Sequence, residues 1–394
     1  MSKVKRYRSV YILDAARTPI GSPFRGLKDL TAAQLGAVVL AEIVRRTKIN
    51  KTDINEIILG NTVGAGTGQN AARQAAVLAG IPVTVPAYTV NNVCGAGLQA
   101  VFSAAQAIEA GRADLVLAGG AESATHCPLL LPQEAKENFQ KKLIRDSLST
   151  DGLWCNLSGK RMGELAEYLA GKAKISREEQ DQFSLQSHQK AVEAQIKGKF
   201  DSEIVGIKTG AGTIKIDERP RKNLKPLSLS ALPGAFVKDG TVTAGNSSVP
   251  SDGASALALV SEEFARKNKL SPLAKVLGYV SVAVDPVDVF AATVPAVQAV
   301  LRQAGLTVRD IDVWEIGEAF AVQACYARDK LKIPAEKINI YGGDIALGHP
   351  LGAAGARILT TLVSALVNEG KRRGLAGICL GGGGCLAIVI EKTK

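Results

Sequence analysis

Aromatic residues are scarce in this chain, 5% of 394 residues with only two tryptophans. The basic residues behind its formal net charge of +11 are spread along the length rather than gathered into a patch with aromatics between them. That distribution argues against a nucleic-acid partner, which needs a basic stripe with stacking residues or a recognition helix. The six cysteines, Cys94, Cys127, Cys155, Cys325, Cys379 and Cys385, show no Cys-x-x-Cys and no Cys/His metal spacing. Reduced thiols in a cytoplasm are the simplest expectation, with no metal. The amino terminus, MSKVKRYRSV, is basic but no apolar signal segment follows it, and no run reaches the length of a membrane span. A soluble, unexported protein without a membrane partner is expected. No phosphate-binding Gly-rich loop ending in Gly-Lys-Ser/Thr is present, and no Ser-His-Asp triad can be assembled.

Glycine, by contrast, is abundant, 40 residues in all, and it clusters at apparent strand-to-helix turns. Three such turns carry chemistry: NNVCGAGLQA around Cys94, GGDIALGHPLGAAGAR around His349, and CLGGGG from Cys379. Cys94 precedes a helix-compatible apolar run, and a thiol at a helix start is favoured as thiolate by the amides and dipole there. A small buried hydrophobe is the alternative reading of any single cysteine. His349 suits general acid–base work, and Cys379 is a second candidate acid/base because a thiol near ~8.5 can be tuned toward neutral pH. His188 lies in the polar run SLQSHQKA and is expected on a solvated surface; a structural role is expected for His126 and packing for the remaining cysteines.

The chain also repeats itself. DINEIILGN from Asp53 matches DIDVWEIGE from Asp310, an offset of 310 − 53 = 257, while Cys94 and His349 are offset by 349 − 94 = 255. Two near-equal offsets argue for a duplicated β/α unit, with short apolar strands buried between helices. Between the halves, about 124 to 250, runs a segment richer in charge, expected as a solvated helical excursion. It includes the basic stretch ERPRKNLKP at 218–226.

Together with VYILDAARTPIG, GQNAARQAAVLAGIP, GGAES, GTVTAGNSS, SDGASAL and GEAFAVQA, the three turns resemble the landmarks of the thiolases in the same order, from residue 10 to the C-terminus. The resemblance implies an α/β, five-layered fold (α-β-α-β-α). An N-terminal half would span 1–123 with 251–272, a loop domain covering the active site 124–250, and a C-terminal half 273–394. It implies acyl transfer between coenzyme A thioesters by Claisen condensation or its thiolytic reverse, with no cofactor beyond those substrates. Acyl-CoA and CoA would be the small-molecule partners, and the chain would form a homodimer or homotetramer. Cys94 would be the nucleophile, His349 its base, and Cys379 the acid/base at the α-carbon. The amides of Cys94 and Gly381 would form one oxyanion hole and His349 part of another. Met162, Ala244, Ser248, Ala319 and Phe320 would line the pantetheine arm, and Arg221 would lie against the adenine.

Three departures bear on activity. Thiolases usually carry Asn-Glu-Ala-Phe where this chain has Gly317-Glu318-Ala319-Phe320; the asparagine anchors a water in the enolate oxyanion hole, so Gly317 implies weakened or altered catalysis. Ala96 replaces a usual serine, and DPVDVFAATVPA from Asp285 places Val289 and Phe290 where the acyl pocket would be reshaped. A CoA-binding relative without efficient turnover, and a decarboxylating ketoacyl synthase relative, remain as alternatives at this point.

Overall fold

A computed structural model describes residues 8–136, 140–210 and 212–393, so most of the basic amino terminus lies outside it. Nine strands form the main sheet: β1 Val10–Arg17, β2 Glu56–Gly60, β3 Ala87–Val90, β4 Leu115–Ser123, β5 Asp252–Ser261, β6 Ala274–Ala283, β7 Val313–Ile316, β8 Arg373–Leu380 and β9 Gly384–Lys392. Their order is β7-β8-β9-β6-β1-β5-β4-β2-β3. Outward from the middle, each half repeats one pattern: antiparallel pairs β1–β5–β4 and β6–β9–β8, then a parallel pair, β4–β2 or β8–β7. The two halves are joined edge to edge, where β1 meets β6 through Tyr11↔Lys275 and Ile12↔Ala274. The duplicated sheets are therefore continuous, a join that the repeat alone does not reveal.

The helices used below are α1 Ala32–Thr47, α2 Ala71–Leu78, α3 Ala96–Glu109, α4 Met162–Ala173, α5 Arg177–Ile196, α6 Thr293–Ala304, α7 Ala321–Leu331 and α8 Leu351–Asn368. Strands β2 and β7 start 313 − 56 = 257 residues apart, and helices α3 and α8 start 351 − 96 = 255 apart, the offsets seen in the sequence. The two equivalent helices lie against each other in the middle, with strands of both halves on their flanks; α1 and α2 cover one outer face and α6 the other. Every residue of α8 from Leu351 to Leu366 is buried. Contrary to the sequence reading, this helix is long and apolar enough to cross a bilayer, with 18 residues and a mean hydropathy of 1.4, but 89% of it is buried inside the fold. It is apolar because it is packed on all sides.

The first turns of α3 and α8 approach each other and β4 so closely that side chains are excluded. A Cβ at Gly120 would stand 2.0 Å from the carbonyl oxygen of Gly352, and one at Gly97 2.9 Å from the same atom. Glu122, two residues along β4, fastens the crossing. Its carboxylate accepts from Asn61 Nδ2 at 2.7 Å, Thr62 N at 2.9 Å and Gly352 N at 2.8 Å. The last bond satisfies an amide in the first turn of α8. The residues just ahead of the two helices, Cys94 and His349, are thereby brought toward one place.

The segment between the halves is less solvated than its composition suggests. Gln180, Ser184, Ser187 and His188 of α5 are buried where this helix packs on α7 and on the single turn Asp344–Leu347. These polar groups are paired inside: Ser187 Oγ donates to Glu318 Oε2 at 2.7 Å, and His188 Nδ1 accepts from Arg221 N at 3.2 Å. His188 is thus a buried residue rather than a surface one, and burial together with Arg221 and Arg219 pushes its pKa down to about 4.

Candidate active site

Cys94 stands at the end of a strained turn. Val93 has φ 48°, a left-handed conformation that a β-branched residue rarely takes. It is held there from both sides, its N–H donating to Asn91 Oδ1 at 3.0 Å and its carbonyl accepting from Thr62 Oγ1 at 2.9 Å. Gly95 then opens α3 without a side-chain cap, its amide and that of Ala96 donating back to the carbonyls of Asn92 and Val93, each at 3.0 Å. His349 is delivered by an equivalent device. Gly348 has φ 105° and a Cβ there would meet Ser251 Oγ at 2.4 Å; His349 N donates to Val249 O at 2.9 Å. Cys379 comes from β8, just ahead of the hairpin that Gly382 (φ 89°) and Gly383 (φ 95°) turn into β9.

All three side chains border one cavity of about 640 Å³. Gly381, Met162, Ser248, Ala319 and Phe320 border it too, as do Val289 and Phe290. Its apolar wall is built on Phe320, whose ring meets Phe290 edge-on at 5.1 Å and Phe236 at 5.9 Å. Segment 243–248 is docked on this wall through Ser248 N to Ala319 O at 2.9 Å and Ala321 N to Asn246 O at 2.9 Å. Two residues implicated by the resemblance lie elsewhere: Ala244 and Arg221 are exposed and outside the cavity wall. Gly317 is buried just behind the wall, its N–H donating to Gly377 O at 2.9 Å. His126 is exposed, with Nδ1 2.9 Å from Ser123 Oγ.

The electrostatics around His349 depend on two residues that sequence reasoning missed, Asp344 and Arg357. Both are buried, at 0% and 1% exposure, and Arg357 Nη2 donates to Asp344 Oδ1 at 2.7 Å. Asp344 Oδ1 also lies 3.5 Å from His349 Nδ1. Burial works against an ionised Asp344, but Arg357 and His349 outweigh it and hold the carboxyl well below its usual range. Burial likewise opposes a protonated His349, yet the charges of Cys94 and Asp344 prevail and push the ring up to about 10. Cys379 goes the other way: burial, then the neighbouring Cys94, drive its thiol far above the ordinary value, so it is held protonated. The available signal was Asp344 as the carboxylate within the GGDIALGHP turn, in the same glycine-rich stretch as His349. What pairs with it is decided by tertiary packing.

This arrangement joins a half-buried cysteine at a helix start, an imidazole whose charged form is stabilised, and a buried protonated thiol. It suits attack on a carbonyl followed by proton delivery to carbon. Among the described residues there is no group of three or more His, Cys, Asp or Glu placed to hold a metal ion.

Residues 10–263 match the family model for the thiolase N-terminal domain and residues 270–392 that for the thiolase C-terminal domain. A probable acetyl-CoA acyltransferase of Staphylococcus aureus (strain MRSA252) is 44% identical over 392 residues, 98% of this chain and 99% of that protein. The solved structure of the Bacillus anthracis acetyl-CoA acetyltransferase matches with TM-score 0.95 and 38% identity, covering 99% of this chain and all (100%) of that one. The Acat5 thiolase from Ascaris suum, in complex with coenzyme A, matches with TM-score 0.93 and 39% identity over 98% of this chain and 100% of its own.

The contrast between the two cavity cysteines is testable without substrate. Brief treatment with iodoacetamide at pH 8 should label Cys94, which is half-buried, and spare Cys379, which is 4% exposed and held as a thiol. Peptide mapping that finds Cys379 labelled as fast as Cys94 contradicts the assignment.

Proposed function

The chain belongs to the thiolase family and is an acyltransferase of CoA thioesters, and from that premise we propose a role for each cavity residue. The observation that carries the proposal is the meeting of Cys94, His349 and Cys379, from three separate turns, at one largely apolar cavity. In thiolysis the Cys94 sulfur attacks the 3-keto carbon of a 3-ketoacyl-CoA, His349 having taken the thiol proton. The bond between the α-carbon and the keto carbon breaks, the acyl group stays on Cys94, and Cys379 gives its proton to the α-carbon of the departing acetyl-CoA. CoA thiol then displaces the acyl group, passing its proton to the site. Condensation runs the same steps backward. The amides of Cys94 and Gly381 would hold the oxyanion formed when acyl-Cys94 is made or cleaved, and His349 would donate toward the thioester oxygen of the enolate. The reaction so written consumes only CoA thioesters and CoA.

Met162, Ser248, Ala319 and Phe320 would flank the pantetheine arm, with Arg221 and Ala244 further out toward the nucleotide end. Phe290 and Val289 would bound the acyl chain, and segment 124–250 would act as the cover between the two halves. A cytoplasmic setting fits a chain whose six cysteines are all free.

Incubation with acetyl-CoA should acetylate Cys94, and Cys94→Ser should reduce labelling to near background because an alcohol is a far weaker nucleophile than a thiolate. Acetyl found by mass spectrometry on Cys379, or unchanged in the variant, overturns the assignment.

Assembly is proposed to run through β3, the edge of the N-terminal half. Val77, Leu78, Val83 and Tyr88 leave 45%, 60%, 68% and 41% of their surface exposed around that edge, an apolar rim that a second copy would cover. Leu129 and Leu131, exposed at 70% and 45%, offer a further surface for a tetramer. Sedimentation at micromolar concentration should report a dimer or tetramer; a monomer contradicts this.

A further inference from the structure

Gly317 lies behind the cavity wall where a side chain would be tightly fitted, and a carboxylate stands beside it. A Cβ built on Gly317 would have Ile378 Cγ1 at 3.2 Å and Asp344 Oδ2 at 3.7 Å as its nearest neighbours. Asp344 is fixed in plane, Oδ2 accepting from Glu318 N at 2.9 Å and Oδ1 from Arg357 Nη2 at 2.7 Å. Oδ1 is also 3.5 Å from His349 Nδ1. Both ring nitrogens of His349 are buried without a hydrogen bond among the described residues. A buried imidazole in that condition has neither its tautomer nor its rotation settled, and a general base needs both.

We propose that Asp344 is the positioning residue of His349, holding the proton on Nδ1 so that Nε2 faces Cys94 and the substrate oxygen. The inference rests on the acyl-transfer reading above. A contact of 3.5 Å is long for a hydrogen bond, but catalytic pairs are often loose in the free enzyme and tighten around substrate. The rest of the surroundings favour the pairing. The titratable groups at the ring are Cys94 and Asp344, with Cys379 bordering the same cavity, and behind them stand Arg357, Glu315 and Glu318. Burial raises both glutamates toward their neutral forms, leaving Arg357 as the cation that keeps Asp344 ionised. When His349 takes the Cys94 proton, the new positive ring therefore sits between a thiolate and a fixed carboxylate. An outer carboxylate on a working histidine sets its tautomer and stabilises its charged form.

The chain has three histidines, so their imidazole nitrogens are resolvable by ¹⁵N NMR. In the Cys94→Ala protein at pH 8, Nδ1 of His349 should carry a proton; a ring protonated only at Nε2 overturns the proposal, and this readout needs no turnover. In kinetics, Asp344→Asn should slow acetylation of Cys94 by roughly 10- to 100-fold and move the alkaline limb of its pH profile to lower pH, because a carboxylate that favours the protonated ring has gone. A loss of rate with the limb unmoved marks a merely structural residue. Wild-type protein whose Cys94 acetyl-CoA never labels would instead defeat the acyl-transfer reading, leaving the nitrogen measurement to stand on its own.

Discussion

Two helices cross at their first turns over a strand that has no room for a side chain, and the chemistry of the molecule depends on that crossing. The carbonyl of Gly352 occupies the space that Cβ atoms at Gly120 and Gly97 would need. Methyl groups there would force α3 and α8 apart, and overpacking of this kind costs about 1–3 kcal/mol before any functional loss is counted. Glu122 then spends a buried carboxylate on the amides of Thr62 and Gly352, one in the loop after β2 and one at the start of α8. A duplicated β/α unit thus becomes a site: the residue preceding each equivalent helix is presented from its own half, cysteine from one and histidine from the other.

Around this crossing lie two buried charge clusters, one fixing the third segment to the halves and one holding the histidine turn. Arg17 of β1 is fully buried and pairs with Glu203 at 2.5 Å and bidentately with Asp217 at 2.7 and 3.0 Å. Glu203 in turn accepts from Thr361 Oγ1 of α8 at 3.1 Å. Four residues N-terminal of Thr361, on the same helix, Arg357 holds Asp344 beside His349. Breaking one partner of such a pair leaves an uncompensated charge, at about 3–5 kcal/mol. The cost explains why these groups tie down the cover segment and the histidine turn, whereas the surface pairs on α1 and α5 contribute little.

Much of the site was legible in the sequence because glycine turns announce themselves. Cys94, His349 and Cys379 each sit in a context only a tight backbone approach requires, and the repeat offsets of 257 and 255 recur in the strand and helix starts. Phe290 and Val289 were legible as pocket residues, since they depart from the motif where the wall is built. What composition misjudged was burial of polar residues. The run SLQSHQKA reads as solvated, yet Ser187 and His188 are inside because their partners, Glu318 and the amide of Arg221, arrive from distant segments. Asp344 escaped notice for the same reason. Its significance comes from Gly317, Arg357 and His349 converging on one carboxylate, and no local pattern encodes that convergence. The hydropathy of α8 was underestimated because a helix packed on every side needs no polar face.

The central claim is that these turns together cleave or form a carbon–carbon bond between acyl groups on coenzyme A, despite a glycine at 317. The most direct measurement is CoA-dependent cleavage of acetoacetyl-CoA, followed beside longer 3-ketoacyl-CoAs, with wild-type and Cys94→Ala protein. Wild type should consume at least one of these substrates and release acetyl-CoA, and the variant should lose that turnover. Intact 3-ketoacyl-CoA after prolonged incubation with wild-type protein that does acetylate Cys94 would contradict the claim, leaving a protein that accepts acyl groups without breaking the bond.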